Sequence, residues 1–366
     1  MIDRRHLILD AATVDAAYAG RFIGSLARAD SRVGPVATFC MFSYFSLFAH
    51  ESYERLKELD PPLAQQISLS AAAAKVVARS RHSLKLFEDT KRRVNGQLIY
   101  FRDEIIPAHR AMFIDRIRFP FLKFLGNDLG IYSYDGVPVS STHAATFALG
   151  IEPQALFGTD AGRKQREVAR EYGQYFAEWG AKLDQQSLSF PAHMSATHLE
   201  DRDVRSDSVY RCRFNGSGTP DINALLSVFQ ASLNVADKLL SLDTEPVSLQ
   251  TTVKLKYLAA YQIIRSLEIL FVDQAAQLRS ESRDTIRSIV GHPTARLITD
   301  PSKRPFRNTL MHYGPDSRID LTQLSFGRPL YGLVEECFSM DLASFDTLLA
   351  TLIAHLASEM NNWAGA

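Results

Sequence analysis

The sequence predicts a mainly α-helical protein, with two helical modules at residues 1–126 and 219–366 and a small mixed α/β insertion at 127–218 between them. Three observations carry that expectation. Phe345, Leu348, Leu349, Leu352, Ile353 and Leu356 recur at helical spacing and form one apolar stripe. Residues 249–290 contain no proline, and Val253, Tyr257, Ile264, Leu267 and Phe271 keep a helical period through them. Strand and turn chemistry gathers in the middle, at Asp135-Gly136 and at Asn215-Gly216-Ser217-Gly218.

The elements follow in order. One helix is predicted over 36–59, stopped by Pro61-Pro62, and another over 63–91 through an alanine-rich tract. Short strands are predicted at 130–134 and 209–214, with a helix over 162–183 between them. Residues 195–207 are polar and charged and read as an exposed loop. Pro220-Asp221 opens a helix over 221–242, bounded by Pro246. Residues 249–290 read as one long helix, and Ser344 as the N-cap of the last one.

At 366 residues the chain is long for a single core, which is the reason to expect two modules. Cys40, Cys212 and Cys337 are far apart without metal-type spacing. They read as small buried hydrophobes in a reducing, cytoplasmic protein. The longest apolar run, about 38–49, is shorter than the roughly 20 residues a membrane helix needs, and no secretory signal precedes it. No membrane association is expected. Net charge is zero but uneven. Residues 1–126 hold 19 basic and 13 acidic residues, and 75–123 hold 12 and 5. That surplus suits either a nucleic-acid backbone or a solvated helical face.

Chemistry-bearing residues crowd into Arg307-Asn308-Thr309-Leu310-Met311-His312-Tyr313-Gly314, between Pro305 and Pro315. Arginine holds phosphate and histidine moves protons near neutral pH. Asn308 precedes His312 by four residues and shares its helical face, whereas Arg307 lies about 140° around. A second cluster, Arg102-Asp103-Glu104-Ile105-Ile106-Pro107-Ala108-His109-Arg110, lies in the basic stretch. There Pro107 removes a bond to the carbonyl of Asp103, so the helix must kink or restart. A third arginine–histidine pair, Arg287 and His292, is set aside because Gly291 and Pro293 end its helix. The loose set His193, His198, Glu200, Asp201 and Asp203 lacks the register of a zinc enzyme, and no metal or cofactor is expected. Gly158 to Lys164 lacks phosphate-loop spacing and reads as a helix start.

The segment from Arg307 to His312 resembles the signature of the HEPN superfamily. These are helical-bundle domains, many of them metal-independent ribonucleases of toxin, antiphage and RNA-processing systems. Their pattern is an arginine, often followed by Asn, Asp or His, with a histidine a few residues on. Arg102-Asp103 with His109-Arg110 resembles the same pattern, in the form seen in abortive-infection proteins. The resemblance implies paired HEPN modules whose two motifs face one cleft. On that basis His312 and His109 transfer protons, Arg307 and Arg102 hold phosphate oxygens, and Asn308 orients. Tyr313, Asp103 and Arg110 are the implied substrate contacts. The implied activity is RNA cleavage in a defence or toxin system, with RNA as partner, room for a homodimer, and an antitoxin or defence-system partner. The alternatives are a non-catalytic RNA-binding or scaffold module and a small-ligand sensor.

Overall fold

A computed structural model describes residues 3–88, 93–181, 187–216 and 218–365. The ends of the predicted helices at 89–91 and 182–183, and Ser217 of the turn signal, lie outside the described residues. Among the described residues the protein is 74% helical, with strand confined to one small antiparallel sheet, so it is mainly α with a small α/β insertion.

The N-terminal helices are α1 (Arg4–Leu26), α2 (Val33–Leu59), α3 (Pro61–Gln66) and α4 (Ala71–Ser83). The predicted helix over 63–91 is therefore broken. Its second part starts where the Ser70 hydroxyl accepts from the Ala73 N–H, an N-cap hidden inside the alanine-rich pattern. Helix α5 (Arg93–Ile99) continues through a π-helical turn (Tyr100–Ile105) into α6 (Ile106–Phe113). Pro107 does not stop this helix. The widened turn, in which the Ile106 N–H reaches back to the Phe101 carbonyl, absorbs the bond that proline cannot make.

In the insertion, β1 (Leu129–Tyr134) and β2 (Val137–Ser141) form a hairpin around Asp135-Gly136. Both turn residues have positive φ, as a two-residue hairpin requires. Ser141 caps α7 (Thr142–Leu149), which leads to α8 (Pro153–Leu156) and α9 (Ala161–Glu178). The third strand, β3 (Leu199–Val204), pairs antiparallel with β1, giving the order β2-β1-β3. It occupies the segment expected to be a loop. As an edge strand it needs no apolar alternation, and its charged residues face solvent, with Asp201 paired to Arg32 at 2.8 Å. The strand expected at 209–214 is instead part of α10 (Ser206–Cys212) and the turn after it. Asp128 fixes the start of α10 by accepting from the Ser206 N–H and hydroxyl.

The C-terminal helices are α11 (Pro220–Asn234), α12 (Leu249–Asp273), α13 (Ser280–Gly291), α14 (Pro293–Thr299), α15 (Arg304–His312), α16 (Leu333–Phe338) and α17 (Leu342–Ala364). The long helix expected over 249–290 is interrupted after Asp273, where Leu278 turns into the core. Asp341, rather than Ser344, caps α17 by accepting from the Ser344 N–H. One continuous core contains residues from all three expected segments. Its aromatic centre joins Tyr257 on α12, Phe306 on α15, Phe338 on α16 and Phe345 on α17, with centroids 4.6–6.3 Å apart. Helix α2 is long and apolar enough to cross a bilayer, but 61% of its most apolar window is buried inside the protein.

Candidate functional site

Helix α15 carries the C-terminal motif. Pro305 starts it without losing a bond, because the first N–H groups of a helix have no partner within it. Phe306, Leu310 and Met311 are buried and fix its orientation. Tyr313 ends it with a left-handed backbone, φ 56°. That reversal turns the tyrosine ring inward. Its hydroxyl donates to Asp15 at 2.6 Å and the ring packs under Lys254, so this residue, implied as a substrate contact, is fully buried instead.

Because α15 stays helical through His312, Arg307 and His312 do not converge. Arg307 turns to α12 and to the short turn at Leu86–Glu88. Its guanidinium pairs with Glu88 at 3.1 Å and lies over the Tyr261 ring. With its amide turned so that the nitrogen faces Glu88, Gln262 completes this group, donating to Glu88 at 2.9 Å and accepting from Arg307 at 2.8 Å. Arg265 also pairs with Glu88, at 3.5 Å. His312 turns to α2, where its Nδ1 meets the Glu51 carboxylate at 2.7 Å. Arg81 of α4 forms an ion pair with the other Glu51 oxygen. Burial by itself would raise the Glu51 pKa. The hydrogen bond and charge of His312, with the charge of Arg81, outweigh burial and hold it lower. The imidazole is 32% exposed, and Nδ1 is the nitrogen held by Glu51. Arg55 donates to the His312 carbonyl at 2.8 Å, which satisfies the end of the helix.

Asn308 sits between the two groups. It accepts from Arg307 at 3.3 Å and donates to Asp316 at 3.0 Å. Asp316 is held well below the usual carboxylate range, first by its hydrogen bonds from Arg318. Asn308 therefore closes the 313–318 loop onto α15.

The N-terminal motif does not join this site. Arg102 is exposed and forms a forked pair with its neighbour Asp103, at 2.8 and 3.1 Å. His109 is buried on the far side of the π turn. Its Nε2 bonds the Thr146 hydroxyl at 2.9 Å, and its ring packs edge-on to His143 and Phe157. Burial pushes His109 down to about 4. Arg110 is exposed and faces Asp207 at 3.5 Å. The single cleft implied by the resemblance is thus not formed by these side chains. Arg102 lies within the π turn and is exposed, whereas His109 is sequestered in the core.

Arg307 and Asn308 instead line an open groove of about 540 Å³. Lys85, Arg93 and Arg304 add three more cations, Glu88 and Asp273 the carboxylates, and Tyr261, buried beneath Arg307, part of the floor. Arg93 and Arg304 are exposed. Sequence reasoning named only Arg307 and Asn308 of this set. The basic surplus over 75–123 was the signal for Lys85 and Arg93, but nothing in the sequence ties them to α15.

Of the histidines and carboxylates between His193 and Asp203, His198 pairs with Asp135 at 2.5 Å and Asp201 with Arg32. Cys212 is exposed, contrary to its reading as a buried hydrophobe, because α10 turns it outward. Comparison of the chain with protein-family models, with curated proteins and with solved structures finds no match, so what the site does must be read from its geometry.

Proposed function

We propose that the protein binds RNA and holds its backbone in the groove formed by Lys85, Arg93, Arg304 and Arg307. The observation that carries this is the gathering of four cations on one open groove. Arg307 is already paired with Glu88, which Arg265 also engages, and Tyr261 is buried beneath Arg307, so the exposed Arg93 and Arg304 are the principal phosphate contacts. Cations spaced along an open groove suit a nucleic-acid backbone. RNA in particular comes from the resemblance of the α15 motif to HEPN domains, which include members without catalysis. The charge reversal R93E/R304E tests this, since both side chains are exposed. Binding of a labelled single-stranded RNA is expected to weaken by roughly tenfold or more. The salt dependence is expected to flatten by about 0.7 in log–log slope per lost phosphate contact. Unchanged affinity and slope would contradict the reading.

One observation favours a second reading, RNA cleavage at His312. Glu51 fixes Nδ1, which orients Nε2 away from the carboxylate on a partly exposed ring. That is the arrangement of a general base able to take a proton from a ribose hydroxyl. Arg307 faces elsewhere, so cleavage would need a different phosphate anchor. The test is RNA cleavage that persists in EDTA, leaves a cyclic phosphate and is lost in His312→Ala. Equal cleavage by the wild type and His312→Ala ends this second reading and leaves the first intact.

A further inference from the structure

We propose that residues 113–125 form a wedge that docks the protein on an anionic lipid surface. After α6 the chain makes a short 3-10 turn, Pro120–Leu125, and presents large apolar side chains to water. Phe119 is 50% exposed, Phe121 70%, Phe124 69% and Leu125 64%, with Phe113 flanking them. These are the residue types that folding normally buries, set in a segment where the core does not reach them.

The exposure is built in. Ile114 is buried, and Gly126 packs so closely on Ile114 and Ile117 that an added Cβ would lie 2.8 Å from the Ile117 side chain. Arg205 donates to the carbonyls of both Lys123 and Phe124 at 3.3 Å. The base of the turn is therefore anchored while its tip points outward. Around the tip stand Arg116, Arg118 and Lys123. Asp115 is the one acidic residue between 111 and 126, and it pairs with Lys123 at 3.5 Å. Arg116 and Arg118 make no ion pair among the described residues, and Arg118 lies over the Phe119 ring.

Charge and size together select the occupant. A cationic collar around a Phe/Leu tip matches an anionic headgroup layer over acyl chains, where each basic residue adds attraction and the apolar tip is buried. A second copy would set the same cations against each other across an isologous contact. The four exposed side chains offer on the order of 400–500 Å² of apolar area, short of the roughly 800 Å² per partner of a stable protein interface. Single-stranded RNA is a weaker fit. Leu125 has no ring face to stack on a base, and Arg118 already covers one face of Phe119.

The experiment is co-sedimentation of the full chain with vesicles of phosphatidylcholine, with and without phosphatidylserine. The wild type is expected to bind the phosphatidylserine vesicles, to bind neutral ones far less, and to be released by salt. F121S/F124S alters exposed positions only and is expected to keep its circular dichroism and Tm while vesicle binding falls roughly tenfold or more. R116E/R118E is expected to lose the preference for phosphatidylserine. No vesicle binding by the wild type, or equal binding by F121S/F124S, would overturn the proposal. So would a concentration-dependent dimer that F121S/F124S abolishes, or RNA binding that depends on these residues in place of vesicle binding.

Discussion

Asp15 holds three donors at once: the Lys254 ammonium at 2.5 Å, the Tyr313 hydroxyl at 2.6 Å and the Thr251 hydroxyl at 2.8 Å. Asp15 and Lys254 are both buried, and the lysine also lies over the rings of Phe48 and Tyr313. Removing one partner leaves the other charge stranded in the core. Asp15→Ala is therefore expected to cost about 3–5 kcal/mol, read as a lower urea midpoint. Replacing both by apolar residues is expected to cost less than the two single changes combined. The second residue-scale prediction concerns His109 and His143, whose rings lie 4.4 Å apart. Burial lowers both pKa values, His109 to about 4, and His143 is lowered further by its histidine neighbour. Unfolded histidines take up protons below about pH 6.5. Over that window the unfolded chain binds more protons than the folded one, so stability falls as pH falls. The expected slope is up to about 1.4 kcal/mol per pH unit for each histidine. Denaturation from about pH 7 to pH 5 measures it, and His109→Gln is expected to flatten it.

At the scale of elements, the helices with a clear apolar period were legible, and their interruptions were not. The Phe345 to Leu356 stripe marked α17, Pro61-Pro62 marked the end of α2, and Asp135-Gly136 marked the β1–β2 hairpin. The break after Asp273 carries no glycine or proline, because tertiary burial of Leu278 makes it rather than local chemistry. Strand β3 was not legible because an edge strand buried only at Leu199 shows no alternation. Val209 to Phe214 reads as a strand, yet α10, whose start Asp128 fixes, runs through Cys212, and the chain then reverses with positive φ at Phe214 and Asn215. The junction of α7 with α4 gives a sharp test. Gly150 ends α7 at φ +66°, and a Cβ there would stand 2.5 Å from the Ser80 nitrogen of α4. Gly136 also has positive φ, but nothing lies within 4 Å of its added Cβ. Gly150→Ala is expected to lose roughly 2 kcal/mol or more. Gly136→Ala, which meets backbone strain alone, is expected to lose only about 1 kcal/mol. Thermal unfolding of the two variants separates them.

At the scale of the whole molecule, the N-terminal helix is locked to the C-terminal half. Helix α1 reaches the C-terminal half through Asp15–Lys254, Tyr18–Asp243 at 2.5 Å and Tyr331–Asp10 at 2.9 Å. The α15 motif was visible in the sequence because its residues are adjacent. Its partners Glu51, Arg81, Glu88 and Tyr261 were not, because they come from α2, α4, the turn after α4, and α12. Glu88 and Tyr261 join Arg307 and Asn308 in the groove where RNA is proposed to bind. Photocrosslinking of the wild-type protein to a single-stranded RNA, with the attachment sites mapped by mass spectrometry, tests this binding most directly. Crosslinks are expected in the peptides that carry Lys85, Arg93 and Arg304. Crosslinks confined to surfaces away from these residues would contradict RNA binding in the groove.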